Sequence, residues 1–214
     1  MAPHASWRVL VRLVPAVAVL AITGVSGQSG ARNGEWRTYG GDLGNTRYSP
    51  LDQIDASNFS TLEVAWRFKT DNLGPQPEFN LQSTPLVVGG KLYTTAGSRR
   101  SVISLDALTG ELLWVHRIDE GERGAASPRR LSGRGLAYWT DGREERILYV
   151  TPGYQLVALE AATGRRIAGF GTGGMVDLKL DNDQPVDPIT GEFGLHAAPT
   201  VAGDTVIVGA SHLP

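Results

Sequence analysis

From residue 84 onward, apolar positions come in short runs and alternations broken by glycine, a strand pattern rather than a helical one. Thr84–Val88 leads into Gly89-Gly90, a two-residue hairpin signal, and Lys91–Thr95 returns. The same construction recurs at Pro199–Ala202, Gly203-Asp204 and Thr205–Gly209, with Pro85 and Pro199 in matching places. Between them, Ser132–Thr140 (SGRGLAYWT), the polar turn Asp141–Glu145 and Arg146–Val150 repeat the plan with a longer turn. Upstream, Val64–Thr70 (VAWRFKT) alternates well enough for a strand, whereas Asp71–Asn80, with two prolines and a glycine, reads as a loop. Helical periodicity is weak everywhere after residue 28.

A longer period lies over this pattern. Leu105–Trp114 (LDALTGELLW) returns 54 positions later as LEAATGRRIAGF, so that Asp106 matches Glu160, Thr109 matches Thr163 and Gly110 matches Gly164. Each copy follows an apolar β-type run, Lys91–Leu105 and Arg146–Leu159. A period of about fifty residues made of short strands and glycine turns is the signature of a β-propeller with one blade per repeat. The expected fold class is therefore all-β: W-type four-stranded blades near Thr84–Trp114 and Leu136–Phe170, with a third starting at Ala198. Trp114 closes the first outer strand and is expected to pack blade on blade, with Phe170 in the equivalent place in the second. About three blades fit the chain, whereas a propeller closes with about four to eight. The expectation is the N-terminal part of a longer protein, with three domains of sequence: 1–27, a leader; 28–80, a lead-in with Trp36 and Tyr39 pinning it to the body; and 81–214, a partial propeller.

Composition narrows the classes. A formal charge of −2 offers no basic surface for nucleic acid. The absence of cysteine removes disulfides, zinc–thiolate sites, thiol nucleophiles and a lipoprotein anchor. At the N-terminus, Arg8 and Arg12 precede the apolar run Leu13–Val25, and Val25-Ser26-Gly27 supplies small residues for cleavage before Gln28. That succession predicts a secretory signal peptide and a soluble, acidic, exported protein. Two tempting motifs fail on context. Gly169–Gly174 satisfies G-x-G-x-x-G but leads into MVDLKLDNDQP, not a helix. Asp181–Glu192 has the ends of a calcium loop, but Val186 and Pro185 stand where glycine and an oxygen ligand are needed. No G-x-S-x-G elbow supports a hydrolase.

Four segments, in order along the chain, resemble the pyrroloquinoline quinone (PQQ)-dependent dehydrogenases, eight-bladed quinoprotein propellers of the bacterial periplasm. They are WRTYGGDLGNTRYSPLDQI (Trp36–Ile54), STPLVVGGKLYTT (Ser83–Thr95) with LDALTGELLW, GRGLAYW (Gly133–Trp139) and APTVAGDTVIVGAS (Ala198–Ser211). The branch most similar is the cysteine-free one described as glucose-dehydrogenase-like. The resemblance implies cofactor contacts at Arg134, which matches the arginine that pairs with the quinone's carboxylate or carbonyl oxygens, and at Gln82, where many relatives have a glutamate. A guanidinium fork suits the oxygens of a planar tricarboxylate, and an amide bonds them without adding a repelling charge. Gln82 reads equally well as a strand-edge polar residue. His196 falls where relatives place a threonine and Ser211 where they place a serine; a lone histidine otherwise reads as a hydrogen-bonded structural residue.

Three departures are informative. Pro128 and Arg129 stand where the alcohol-oxidising branch has adjacent cysteines over the quinone. Pro214 aligns with that branch's calcium-ligating glutamate and cannot ligate through its side chain. The family's catalytic aspartate and a second metal ligand belong to later blades, so neither a catalytic residue nor a metal ligand is assigned here. The resemblance implies a periplasmic oxidoreductase acting on an alcohol or aldose sugar with PQQ and a divalent cation, calcium or magnesium. Electrons would leave to a respiratory acceptor, a cytochrome or a quinone. The rival is a non-catalytic propeller scaffold of the bacterial envelope, which has no reason to keep GRGLAYW.

Overall fold

The computed structural model describes residues 30–212 except Arg32 and Pro77; the expected signal peptide lies outside them. Two four-stranded antiparallel sheets dominate. The first holds β1 (Leu86–Val88), β2 (Lys91–Ala96), β3 (Ser101–Asp106) and β4 (Leu112–His116) in that spatial order. A connection carrying one helical turn, α1 (Gly121–Ala125), leads to β5 (Ala137–Thr140), β6 (Glu145–Val150), β7 (Gln155–Glu160) and β8 (Met175–Asp177), again in sequential order. A third unit has only hairpins: β10 (Thr200–Ala202) pairs with β11 (Thr205–Ile207), and β12 (Ser211–His212) pairs with β9 (Phe193–Gly194). These are two complete blades and part of a third, close to the expected bounds.

The turns follow from their residues. Gly89 and Gly90 both take left-handed φ (56° and 74°), which twists the hairpin so that Val88 faces Lys91. In the D-x-x-T-G turn, one Asp106 carboxylate oxygen accepts the amides of Leu108 and Thr109 at 2.9 and 2.8 Å, and Gly110 closes the turn at φ 73°. The degraded copy keeps the backbone plan: Gly164 N–H donates to the Glu160 carbonyl at 2.8 Å, as Gly110 donates to that of Asp106 at 2.9 Å. A third such turn, Asp187-Pro-Ile-Thr-Gly191, is legible in the sequence but off the 54-residue period. Its Asp187 carboxylate accepts the amides of Ile189 and Thr190, and it lies in an inter-blade connection, within the Asp181–Glu192 segment that has the ends of a calcium loop.

The core lies between blades, not within one sheet. One cluster joins Leu86, Tyr93 and Val102 of blade one to Ile147, Tyr149, Val157 and Leu159 of blade two. The other face of blade two, with Leu148, Val150 and Leu156, packs on Leu195, Val201 and Val206 of the third unit. β3 and β7 are covered on both faces, which is why Val102–Leu105 and Leu156–Leu159 hold only apolar residues and one small serine, without polar–apolar alternation.

Trp114 docks blade one onto blade two. Its indole N–H donates to the Ala161 carbonyl at 3.1 Å, and its ring fills the space over Gly164, where a Cβ would lie 2.5 Å from ring carbon. Trp66 repeats this on blade one: its N–H reaches Ala107 O at 3.3 Å and its ring covers Gly110. Two expectations are corrected here. Val64–Thr70 is extended, with Trp66 and Phe68 turned inward, but it is not a strand, because no ladder partner lies beside it among the described residues. It rests against blade one as β4 rests against blade two. Phe170 is not the counterpart of Trp114. After Arg166 bridges Leu159 and Ile167 N–H bonds Ala158 O, the outer strand loops out through the glycine-rich segment and resumes only at Met175. Ile167 holds the Trp114 register and Phe170 sits in the turn.

Trp36 does pin the lead-in. Its backbone pairs in both directions with Val87, closing the open edge of β1, and its ring packs on the core between blades one and two.

Candidate cofactor cradle

The starts of the inner strands meet at one end of the blades. Pro85 and Pro199 precede β1 and β10, and the residues just before each proline turn toward the neighbouring blade. Thr84 N–H donates to Arg134 O at 2.9 Å, and Arg134 N–H donates to His196 O at 2.8 Å. Backbone from blade one, blade two and the third unit is thus stitched in a row. Gly135 is required in that row: its φ is 134°, and a Cβ there would lie 2.8 Å from the Thr84 carbonyl oxygen.

Three of the four residues singled out from the sequence come together on this row. His196 Nε2 donates to Gln82 Oε1 across 114 positions of sequence. Arg134 lies between them in the row, solvent-exposed, and its guanidinium takes no hydrogen bond or ion pair among the described residues. Burial holds the His196 pKa below its ordinary value, with the charges of Arg100, Arg134 and Arg129 acting in the same direction. Ser211 lies on β12 opposite Gly194, two residues before His196, and bonds none of the other three among the described residues.

Two supporting residues carry no signal in a motif search. Arg100, 4% exposed, ends the β2–β3 turn and donates to four backbone carbonyls: Leu131 and Arg129 at 2.9 and 2.8 Å, and Val150 and Leu195 at 2.9 Å each. Glu78 accepts the amides of Gly97 and Ser132 at 2.9 and 3.0 Å. Arg99-Arg100 is visible in the sequence as an arginine pair in a turn, but nothing in the sequence says that the second of the two is buried.

A cavity of about 580 Å³ runs from Arg134, the one residue of the four that lines it, along Leu136 and Tyr138 to Ala198 and to Tyr39 of the lead-in. A larger groove of about 780 Å³ over Phe79, Asp119 and Arg130 holds none of the four residues, and the chemistry favours the first. An unpaired guanidinium, an amide and an imidazole whose proton is opposed by three arginines suit a polyanionic planar ligand. They fit the carboxylates and carbonyls of PQQ. No three His, Asp or Glu side chains gather to hold a metal ion among the described residues.

Comparison with known proteins identifies the family. Residues 36–214 match the family model described as PQQ, glucose/ethanol/alcohol dehydrogenase, β-propeller domain. The chain is 32% identical over 187 residues to the glycerol dehydrogenase large subunit of Gluconobacter oxydans (strain 621H), covering 82% of this chain and 24% of that protein. It is 31% identical over 194 residues to the quinate/shikimate dehydrogenase (quinone) of Acinetobacter baylyi, with the same coverage, 82% and 24%. Among solved structures, the quinohemoprotein alcohol dehydrogenase from Comamonas testosteroni superposes with a TM-score of 0.65 at 26% identity, over 86% of this chain and 24% of that one. A europium-containing methanol dehydrogenase superposes with a TM-score of 0.61 at 26% identity, over 83% and 27%. The chain spans about a quarter of the length of the relatives it matches. By its repeat, its blades and this match over most of its length, the chain belongs to the PQQ-dependent glucose/ethanol/alcohol dehydrogenase family, within the β-propeller domain.

Proposed function

We propose that the chain is the N-terminal part of a periplasmic quinoprotein that oxidises an alcohol or aldose sugar with PQQ and a divalent cation, passing electrons to a respiratory cytochrome or quinone. The observation that supports it best is the row Gln82–Arg134–His196, presented by three successive blade units at one end of the inner strands. Within it, Arg134 binds and orients a quinone carboxylate or carbonyl, and Gln82 adds a hydrogen bond without charge repulsion. His196 stays neutral and fixes the Gln82 amide. The family resemblance adds Ser211, on β12 of the third unit, as a further contact. Bound PQQ supplies the two-electron acceptor for substrate oxidation, and the protein orients and tunes it. The cation, its ligands and the base that takes the hydroxyl proton are assigned to later parts of the full-length protein.

Titration of the full-length apo-protein with PQQ and calcium or magnesium tests this. Arg134→Ala should weaken binding by about 2–4 kcal/mol, roughly 30- to 700-fold, as for other desolvated charge pairs. Equal affinity in wild type and variant would remove Arg134 from the site. Failure of the wild type to bind quinone would favour the scaffold. Residues 28–214 alone should bind weakly, because they supply one side of a central site.

A further inference from the structure

A guanidinium buried as deeply as Arg100 is costly to desolvate, and no carboxylate lies within ion-pair distance of it among the described residues. Burial pulls its pKa down to about 10, which leaves it charged at neutral pH. Glu120, Tyr149 and Glu78 favour its charge from beyond ion-pair distance, and its direct hydrogen-bond partners are four carbonyls whose positions are informative. Arg129 and Leu131 belong to the loop that runs into Arg134, Leu195 adjoins His196, and Val150 ends β6. Gly133 passes so close that a Cβ there would lie 3.2 Å from the Arg100 Nε.

The repeat shows what this position does. Tyr154 stands 54 residues later, ends the equivalent turn, shares the left-handed backbone (φ 67° against 52°) and donates its hydroxyl to Gly209 O in the third unit. The last residue of each β2–β3-type turn is where a blade reaches its successor. Blade two does so with one hydroxyl. Blade one uses four N–H groups, and three of them end on the segments that present Arg134 and His196. From the other side, Glu78 holds Ser132 in the same loop and Gly97 at the start of the Arg100 turn.

We infer that Arg100, assisted by Glu78, is a positioning residue for the quinone cradle: it fastens by the backbone the two segments that carry Arg134 and His196, and sets their separation. The identity of the ligand rests on the quinone reading; the fastening does not. Hydrogen exchange by mass spectrometry on the full-length protein tests it, with Arg100→Lys, which keeps the charge but loses the fork, and Glu78→Ala, which leaves the buried cation in place. In both variants, peptides covering residues 128–136 should exchange at least tenfold faster, and in Arg100→Lys those covering 194–198 as well. Peptides from β3 and β7 should stay within twofold of wild type. PQQ affinity of Arg100→Lys should fall at least tenfold. Unchanged exchange in both loops, or equal acceleration in β3 and β7, would overturn the inference, the second because it signals general loss of stability. If the wild type takes up no PQQ, the quinone reading falls, and loop exchange still decides the fastening.

Discussion

The Ala161 carbonyl offers a sharp test of how the blades are joined. It is fully buried and accepts two donors from blade one, the Trp114 indole N–H at 3.1 Å and the Tyr93 hydroxyl at 3.3 Å. The two rings lie 6.0 Å apart, and burial raises the Tyr93 phenol to a pKa of about 12, so it remains a donor at neutral pH. Tyr93→Phe removes one donor and leaves the carbonyl satisfied by the other, so the loss should be about 0.5–1.5 kcal/mol. Trp114→Phe should cost the same for its hydrogen bond, plus the area of the lost ring. In the double variant the carbonyl is stranded, and its desolvation adds about 1–3 kcal/mol. The two changes should therefore be more than additive by at least about 1 kcal/mol, and the packing loss cancels in the cycle. Urea unfolding of wild type, both single variants and the double variant, followed by far-ultraviolet circular dichroism at one pH, measures this. Additivity within about 0.5 kcal/mol would refute the shared-acceptor account.

Gly164→Ala should destabilise more than Gly173→Ala in the same assay. Both glycines are left-handed (φ 70° and 61°), costing about 1–2 kcal/mol for any other residue, but only at Gly164 does a Cβ meet a ring, at 2.5 Å, adding roughly 1–3 kcal/mol. Burial, reinforced by the charge of Arg166, holds the His116 pKa below 6.5, so below that pH the unfolded chain takes up a proton that the folded imidazole refuses. Stability should be full above about pH 6.5 and decline as pH falls through the lowered value, and His116→Asn should flatten the decline; urea midpoints between pH 7 and 5 check it.

Much of the blade plan was legible because its signals are local. The glycine pair at 89–90 and the carboxylate of Asp106 specify their turns within a few residues, and the copy at Glu160–Gly164 keeps the backbone bonds though the aspartate has changed. Trp114 was readable as an inter-blade residue because a large ring at a repeat position has one economical place to pack. Phe170 misled because the outer strand of blade two is interrupted, and ladder register, not spacing, picks Ile167. Val64–Thr70 misled in the opposite sense: its alternation is real, but alternation reports burial of one face, not the presence of a hydrogen-bonding neighbour. In the cradle, Arg134, Gln82 and His196 could be proposed from a family pattern. Arg100 could not, because its partners are carbonyls, which every residue carries and no sequence displays.

The indole docks also order events in time. Trp66 waits for Ala107 and Trp114 waits for Ala161, gaps of 41 and 47 residues. As the chain emerges from the N-terminus, on either side of a membrane, each sheet can form its own hairpins as soon as its strands are free, but the indole that docks on the next D-x-x-T-G turn waits until most of that repeat has followed. Each blade is thus a provisional structure completed by its successor, and a pause late in one repeat would leave the tryptophan of the preceding one exposed.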